Sequence, residues 1–110
     1  MTIQHKELAA GRWAKMPLAE QMANIGSEVE RAISWRSKKN ADYARMAFER
    51  ALELIDLTLD STAKASNLKE IARVREAIVD YFAGDNLFMS TDKSWRDYFL
   101  HFAYAARRDR

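Results

Sequence analysis

Residues 41–62, ADYARMAFERALELIDLTLDST, decide the fold. Each residue turns a helix by about 100°, and on that count the stretch divides into two unequal arcs. Tyr43, Met46, Ala47, Phe48, Ala51, Leu52, Leu54, Ile55, Leu57 and Leu59 cover roughly two thirds of the circumference. Asp42, Arg45, Glu49, Glu53, Asp56 and Asp60 share the narrow arc that remains. This is the periodicity of a helix and not of a strand. A helix so widely apolar needs cover on several sides, which places it at the centre of the fold or against a second subunit. Asn40 is positioned to cap its start.

Working outward, the N-terminal flank repeats the pattern. Pro17 suits the first turn of a helix, where its missing N–H costs nothing. From Leu18 the apolar residues Met22, Ile25, Val29, Ala32 and Ile33 follow at helical spacing, and Lys38 and Lys39 suit a C-terminus. Residues 1–16 read as a lead-in, with a short helix around Gln4–Ala10 that stops at Gly11. On the other flank, Asn67 followed three residues later by Glu70 has the form of a capping box. The helix it opens carries Leu68, Ile71, Val74, Ile78 and Phe82 and ends at Gly84. Residues 84–91 form the longest loop and expose Leu87 and Phe88, and Thr91 or Asp92 caps a last helix with the seam Trp95, Tyr98, Phe99, Phe102, Ala105 and Ala106. Short connections favour antiparallel neighbours, so the expected fold is all-α: one domain over residues 1–110, an up-down-up-down antiparallel four-helix bundle.

Composition agrees. Gly and Pro number four, where average usage over 110 residues gives roughly thirteen, and turn-rich β folds need more of both. The absence of cysteine excludes disulfides, zinc–thiolate sites and a thiol nucleophile. No apolar run reaches the roughly twenty residues that span a bilayer, and no signal-peptide pattern opens the chain, so a cytoplasmic location and no membrane partner are expected. A net charge of +2 does not by itself call for nucleic acid.

Several polar groups are candidates for function. Glu49, Glu53, Asp56, Glu76 and Asp80 are similar in arrangement to the paired acidic helices with which all-helical nucleotide pyrophosphatases hold magnesium. The wheel, however, sets these acids opposite the apolar faces of their helices, as the wet side of an amphipathic pair. Ferritin-like iron chemistry needs inward Glu-x-x-His pairs, and no Glu stands three residues before His5 or His101. Arg36 and Arg75 fall on apolar faces and require partners, with Glu28 and Asp80 as local candidates. Gln21, Asn24, Glu28 and Arg31 form a polar stripe beside the first helix's seam, either a polar groove or the boundary row of a bundle. No phosphate loop or cofactor fingerprint is present, and neither a cofactor nor a metal is expected.

His5 and His101 are the two histidines, and His101 stands in the segment Arg96-Asp97-Tyr98-Phe99-Leu100-His101. In the last helix of a small bundle, Arg, a polar residue, any three residues and His resembles the motif of the HEPN superfamily. The resemblance implies a metal-independent ribonuclease, working as a dimer and often the toxin of a toxin–antitoxin pair. It assigns acid–base work to His101, phosphate binding to Arg96 and orientation to Asp97. RNA is a partner only under that alternative. The residues themselves favour another reading. Leu100, Ala103 and Tyr104 lie opposite the last helix's seam and, with the wide arc of residues 41–62, supply more apolar surface than one bundle buries. The expected function is that of a homodimer that binds a partner, such as a protein, without catalysis. A magnesium-dependent hydrolase is the third alternative.

Overall fold

The computed structural model describes residues 11–108, and every regular element among them is helical. Residues 11–14 are helical, so Gly11 is not the helix stop expected of it; the short helix expected around residues 4–10 lies outside the described residues. Four long helices follow: α1 (Leu18–Ser37), α2 (Ala41–Ser61), α3 (Ala65–Ala83) and α4 (Asp92–Arg108). None of them is long and apolar enough to cross a membrane.

Local chemistry explains the boundaries. Pro17 is the N-cap of α1. At the other end Asn40 N–H donates to Trp35 O and Lys39 N–H to Arg36 O, with Lys39 at φ 60°. This six-to-one bond with a left-handed residue is a Schellman turn, which closes α1 at a cost of about 1 kcal/mol for a non-glycine residue. Asn40 then accepts from Tyr43 N–H and starts α2, as its sequence position indicates. The start of α3 departs from expectation. The helix begins at Ala65 behind Lys64, which gives no side-chain cap, and the Asn67–Glu70 pattern lies inside its first turns. Glu70 turns instead to Tyr98, which donates to it at 2.6 Å. Thr91 caps α4: its Oγ1 accepts from Ser94 N–H, and Ser94 Oγ accepts from Thr91 N–H.

The core is built around α1 and not around the widely apolar α2. Met22, Ile25, Val29, Ala32 and Ile33 of α1 are all buried, and α1 packs extensively against both α2 and α4. Small residues make the double contact possible. Gly26 meets Phe99 so closely that a Cβ there would stand 2.6 Å from Phe99 Cβ. By contrast, α2 buries Ala44, Ala47, Ala51, Ile55 and Leu57 but leaves Tyr43 and Met46 about half exposed. Ile71, Val74 and Ile78 of α3 complete the core from the side of α2. Trp13 closes one end, donating its indole N–H to Thr58 Oγ1 at 2.9 Å in a buried bond.

Candidate functional site

The Arg96–His101 segment lies within α4, where five helical positions separate its ends by about 140°. Arg96 turns toward α1 and grips Glu30 with two hydrogen bonds, Nε to Oε2 at 2.8 Å and Nη2 to Oε1 at 3.1 Å. Those bonds hold the guanidinium above its ordinary pKa. Asp97 accepts from Lys93 at 2.6 Å, an exposed pair one turn apart. His101 is exposed and shares a depression with Asp97, Leu100, Tyr104 and Arg108. Arg96 lines a different depression, shared with Gly26, Glu30, Phe99 and Ala103. The fold thus brings Asp97 and His101 to one surface and directs Arg96 to another.

The polar stripe on α1 is stitched into the α1–α2 contact. Glu28 is buried, its side chain 8% exposed, and its two oxygens meet Arg31 at 2.6 Å and Arg50 of α2 at 2.7 Å. Gln21, also buried, donates to Trp13 O at 2.8 Å and Ser61 Oγ at 3.2 Å. Asn24 is exposed and returns its amide to Glu20 O, while the Arg31 side chain is 62% exposed. The row therefore cross-links the N-terminal segment, α1 and α2.

Arg36 and Arg75 find partners, although not those nearest in the sequence patterns. Arg75 pairs with Asp56 across α2 and α3 at 2.8 Å. Arg36 pairs with Asp92 at 3.1 Å and lies over the rings of Tyr81 and Phe82, 4.5 and 4.7 Å from their centroids. Tyr81 donates to the same Asp92 carboxylate; burial first, and this bond second, raise the phenol above its ordinary pKa.

The acids of α2 and α3 do not gather. Asp56 is taken by Arg75, and Asp80 accepts from Leu87 N–H at 2.7 Å and Phe88 N–H at 3.0 Å. Among the described residues no group of three or more His, Asp or Glu side chains is placed to hold a metal ion. Glu53 differs from the outward-facing acid its wheel position suggests: it is only partly exposed, and its Oε1 is buried without a hydrogen-bond partner. An unsatisfied buried oxygen of this kind costs about 1–3 kcal/mol.

Asp80 also shapes the most exposed apolar element. Asn86 Oδ1 accepts from Ser90 N–H at 2.8 Å and its Nδ2 donates to Ser90 O at 3.0 Å. Together with Asp80 this pins residues 86–90 as a knuckle in which Asn86 and Met89 take φ near 55°. Leu87, Phe88 and Met89 stand outward, 80%, 51% and 82% exposed.

Between α3 and α4 the helices part into a groove of about 650 Å³. Lys69, Glu70, Arg73, Val74 and Ala77 form one wall, and Ser94, Trp95 and Tyr98 the other. The Tyr98–Glu70 hydrogen bond joins the walls, and burial of Tyr98, followed by that bond, raises the phenol far above its ordinary pKa. Trp95 is buried, and its Nε1–H meets no acceptor. The sequence held one signal for this groove: Ser66, Lys69, Glu70 and Arg73 recur at steps of three, one and three beside Val74 and Ala77. That the opposite helix would stand away from this face has no signature in periodicity.

Because the raised Tyr98 pKa favours the protonated folded state, its contribution is complete below the free phenol's value near 10 and is lost as pH rises through the folded value. Tyr98→Phe should therefore flatten the alkaline loss of stability, and near pH ~11 the native chain should lose about 1 kcal/mol more than the variant, relative to neutral pH. Urea titrations at both pH values measure the difference.

Comparison of the chain with family models, with curated proteins and with solved structures finds no match.

Proposed function

We propose that this protein is a cytoplasmic helical bundle that self-associates as a homodimer through α4 and works by holding a partner. The observation that carries the reading is the outer face of α4. Trp95 and Phe99 are committed to the core, while Leu100 and Tyr104, one turn apart, remain 59% and 66% exposed. Two large apolar side chains on one helical face are inexpensive to desolvate and are typical of subunit contacts. The arrangement within each protomer is an up-down-up-down antiparallel bundle. Three-residue connections at 38–40 and 62–64, and the packing of α1 on α2 and α4 and of α2 on α3, support it. The knuckle of Leu87, Phe88 and Met89, fixed by Asp80 and Asn86, is the element offered to a protein partner.

Leu100→Glu combined with Tyr104→Glu should convert a particle of two chains into one chain in light scattering, with the helical circular dichroism unchanged. A native chain that stays monomeric over a wide concentration range, or a variant that stays dimeric, refutes the reading.

A second reading, HEPN-like RNA cleavage without metal, is favoured by one feature: Asp97, His101 and Arg108 border the same depression beside Leu100 and Tyr104. Dimerisation through that face would bring two such sets together. In this reading His101 is the acid–base group, Asp97 orients it, and Arg96 must exchange Glu30 for phosphate. Cleavage of RNA in EDTA that His101→Ala and Arg96→Ala both abolish is its requirement.

A further inference from the structure

The α3–α4 groove combines two cationic side chains with an apolar floor. Lys69 and Arg73 stand one turn apart on α3, both exposed, and neither pairs with a carboxylate among the described residues. Glu70, three residues before Arg73, is at pairing distance for that arginine, yet its carboxylate is drawn across the groove by the Tyr98 hydroxyl. Two cations are left facing the opening. Beneath them lie Val74, Ala77 and the edge of Trp95, whose indole N–H has no acceptor.

We propose that this groove binds a small anionic amphiphile: a carboxylate or phosphate held by Lys69 and Arg73, with an apolar body lying on Val74, Ala77 and Trp95. The size fits, since about 650 Å³ lies within the range that takes small molecules, roughly 300–1,000 Å³. The bond between Tyr98 and Glu70 ties the walls together and obstructs a continuous peptide helix along the seam. Charge sets the sign of the ligand, because Lys69 and Arg73 outnumber Glu70 among the charged residues that line the groove. The apolar floor sets its second requirement, a body beyond the anion.

Trp95 also supplies the readout. The chain contains three tryptophans, and the other two are placed elsewhere: Trp13 donates to Thr58, and Trp35 packs on Tyr43. Decanoate or decyl phosphate, added below its micellar concentration to the full-length protein, should shift the Trp95 indole signal in nitrogen–proton spectra saturably while leaving those of Trp13 and Trp35 in place. The two probes separate a carboxylate ligand from a phosphate one. Acetate and inorganic phosphate should bind at least about tenfold more weakly, and Lys69→Gln with Arg73→Gln should weaken decanoate by about tenfold or more, which is about 1.4 kcal/mol. Lys64→Gln, outside the groove, should leave binding unchanged. Both cations are on the surface, so the double variant keeps the fold, which its spectrum verifies. The proposal is overturned if neither decyl probe saturates, if the double variant binds as the native chain does, or if decyltrimethylammonium binds equally well.

Discussion

Gly26→Ala should lower the stability of this protein by about 2 kcal/mol, although the same exchange in an ordinary helix interior raises stability by about 1 kcal/mol. The reversal comes from one contact. A methyl group at position 26 would stand 2.6 Å from Phe99 Cβ, 2.8 Å from Cγ and 3.0 Å from Cδ1. A flexible side-chain tip can swing aside, but a Cβ moves only with its backbone, so α4 as a whole must retreat from α1. Phe99 is buried and stacks with Trp95 at 5.9 Å and edge-on with Tyr98 at 5.0 Å, so the displacement loosens an aromatic cluster. Overpacking of this kind costs about 3 kcal/mol at the upper end of its usual range, and the propensity gain offsets about 1 kcal/mol of it. Urea unfolding at fixed protomer concentration measures the result, and the melting temperature should fall by roughly 10 °C for a domain of this size. Gly11→Ala is the control. Its added methyl meets nothing within 4 Å in a residue that is helical, so stability should stay level or rise. A stabilised Gly26→Ala would show that α1 and α4 do not approach as described.

Gly26 also marks the limit of what the sequence discloses. The helices were legible because Leu18, Met22, Ile25, Val29 and Ile33, or Ile71, Val74 and Ile78, repeat at the spacing of one face. Asn40, Gly84 and Thr91 announced three boundaries with local hydrogen-bond chemistry, and local chemistry is fully written in neighbouring residues. The choice of central helix was not written there. Periodicity says how wide an apolar arc is, and by width α2 ranked first; proximity depends on where a small residue lets a neighbouring helix approach, and Gly26 beneath Phe99 gave that position to α1. Partners of charged groups were hidden for the same reason. Arg36 with Asp92, Arg75 with Asp56 and Arg96 with Glu30 are separated by 56, 19 and 66 positions. At the candidate sites the motif from Arg96 to His101 was visible, but an unbroken helix turns its ends apart, and Glu30 occupies the arginine. The groove beside Lys69 and Arg73 depends on the spacing of two helices, which no single helix encodes.

Glu28→Ala should cost about 2 kcal/mol, the effect of removing a buried carboxylate that ties α1 to α2 through charge. The carboxylate is buried, so its desolvation is tolerated only because Arg31 and Arg50 meet its two oxygens at 2.6 and 2.7 Å. Deleting an acid that serves a fully buried pair costs about 3–5 kcal/mol, because it strands the cation. Here the arginines are 62% and 40% exposed, so they regain water when Glu28 is removed, and the penalty falls toward 2. The asymmetry predicts an order. Arg31→Ala should cost under about 1 kcal/mol, since its pairing is a surface contact between positions three apart and Arg50 still holds the acid. Arg50→Ala should cost more than Arg31→Ala, because Arg50 supplies the link between helices. The double variant Glu28→Ala with Arg50→Ala should be little worse than Glu28→Ala alone, the coupling expected of residues that act as one contact. Chemical unfolding of the four variants tests the order directly. A Glu28→Ala cost below about 0.5 kcal/mol, the scatter of ordinary surface substitutions, would mean that the Glu28–Arg50 pair adds nothing to the α1–α2 contact.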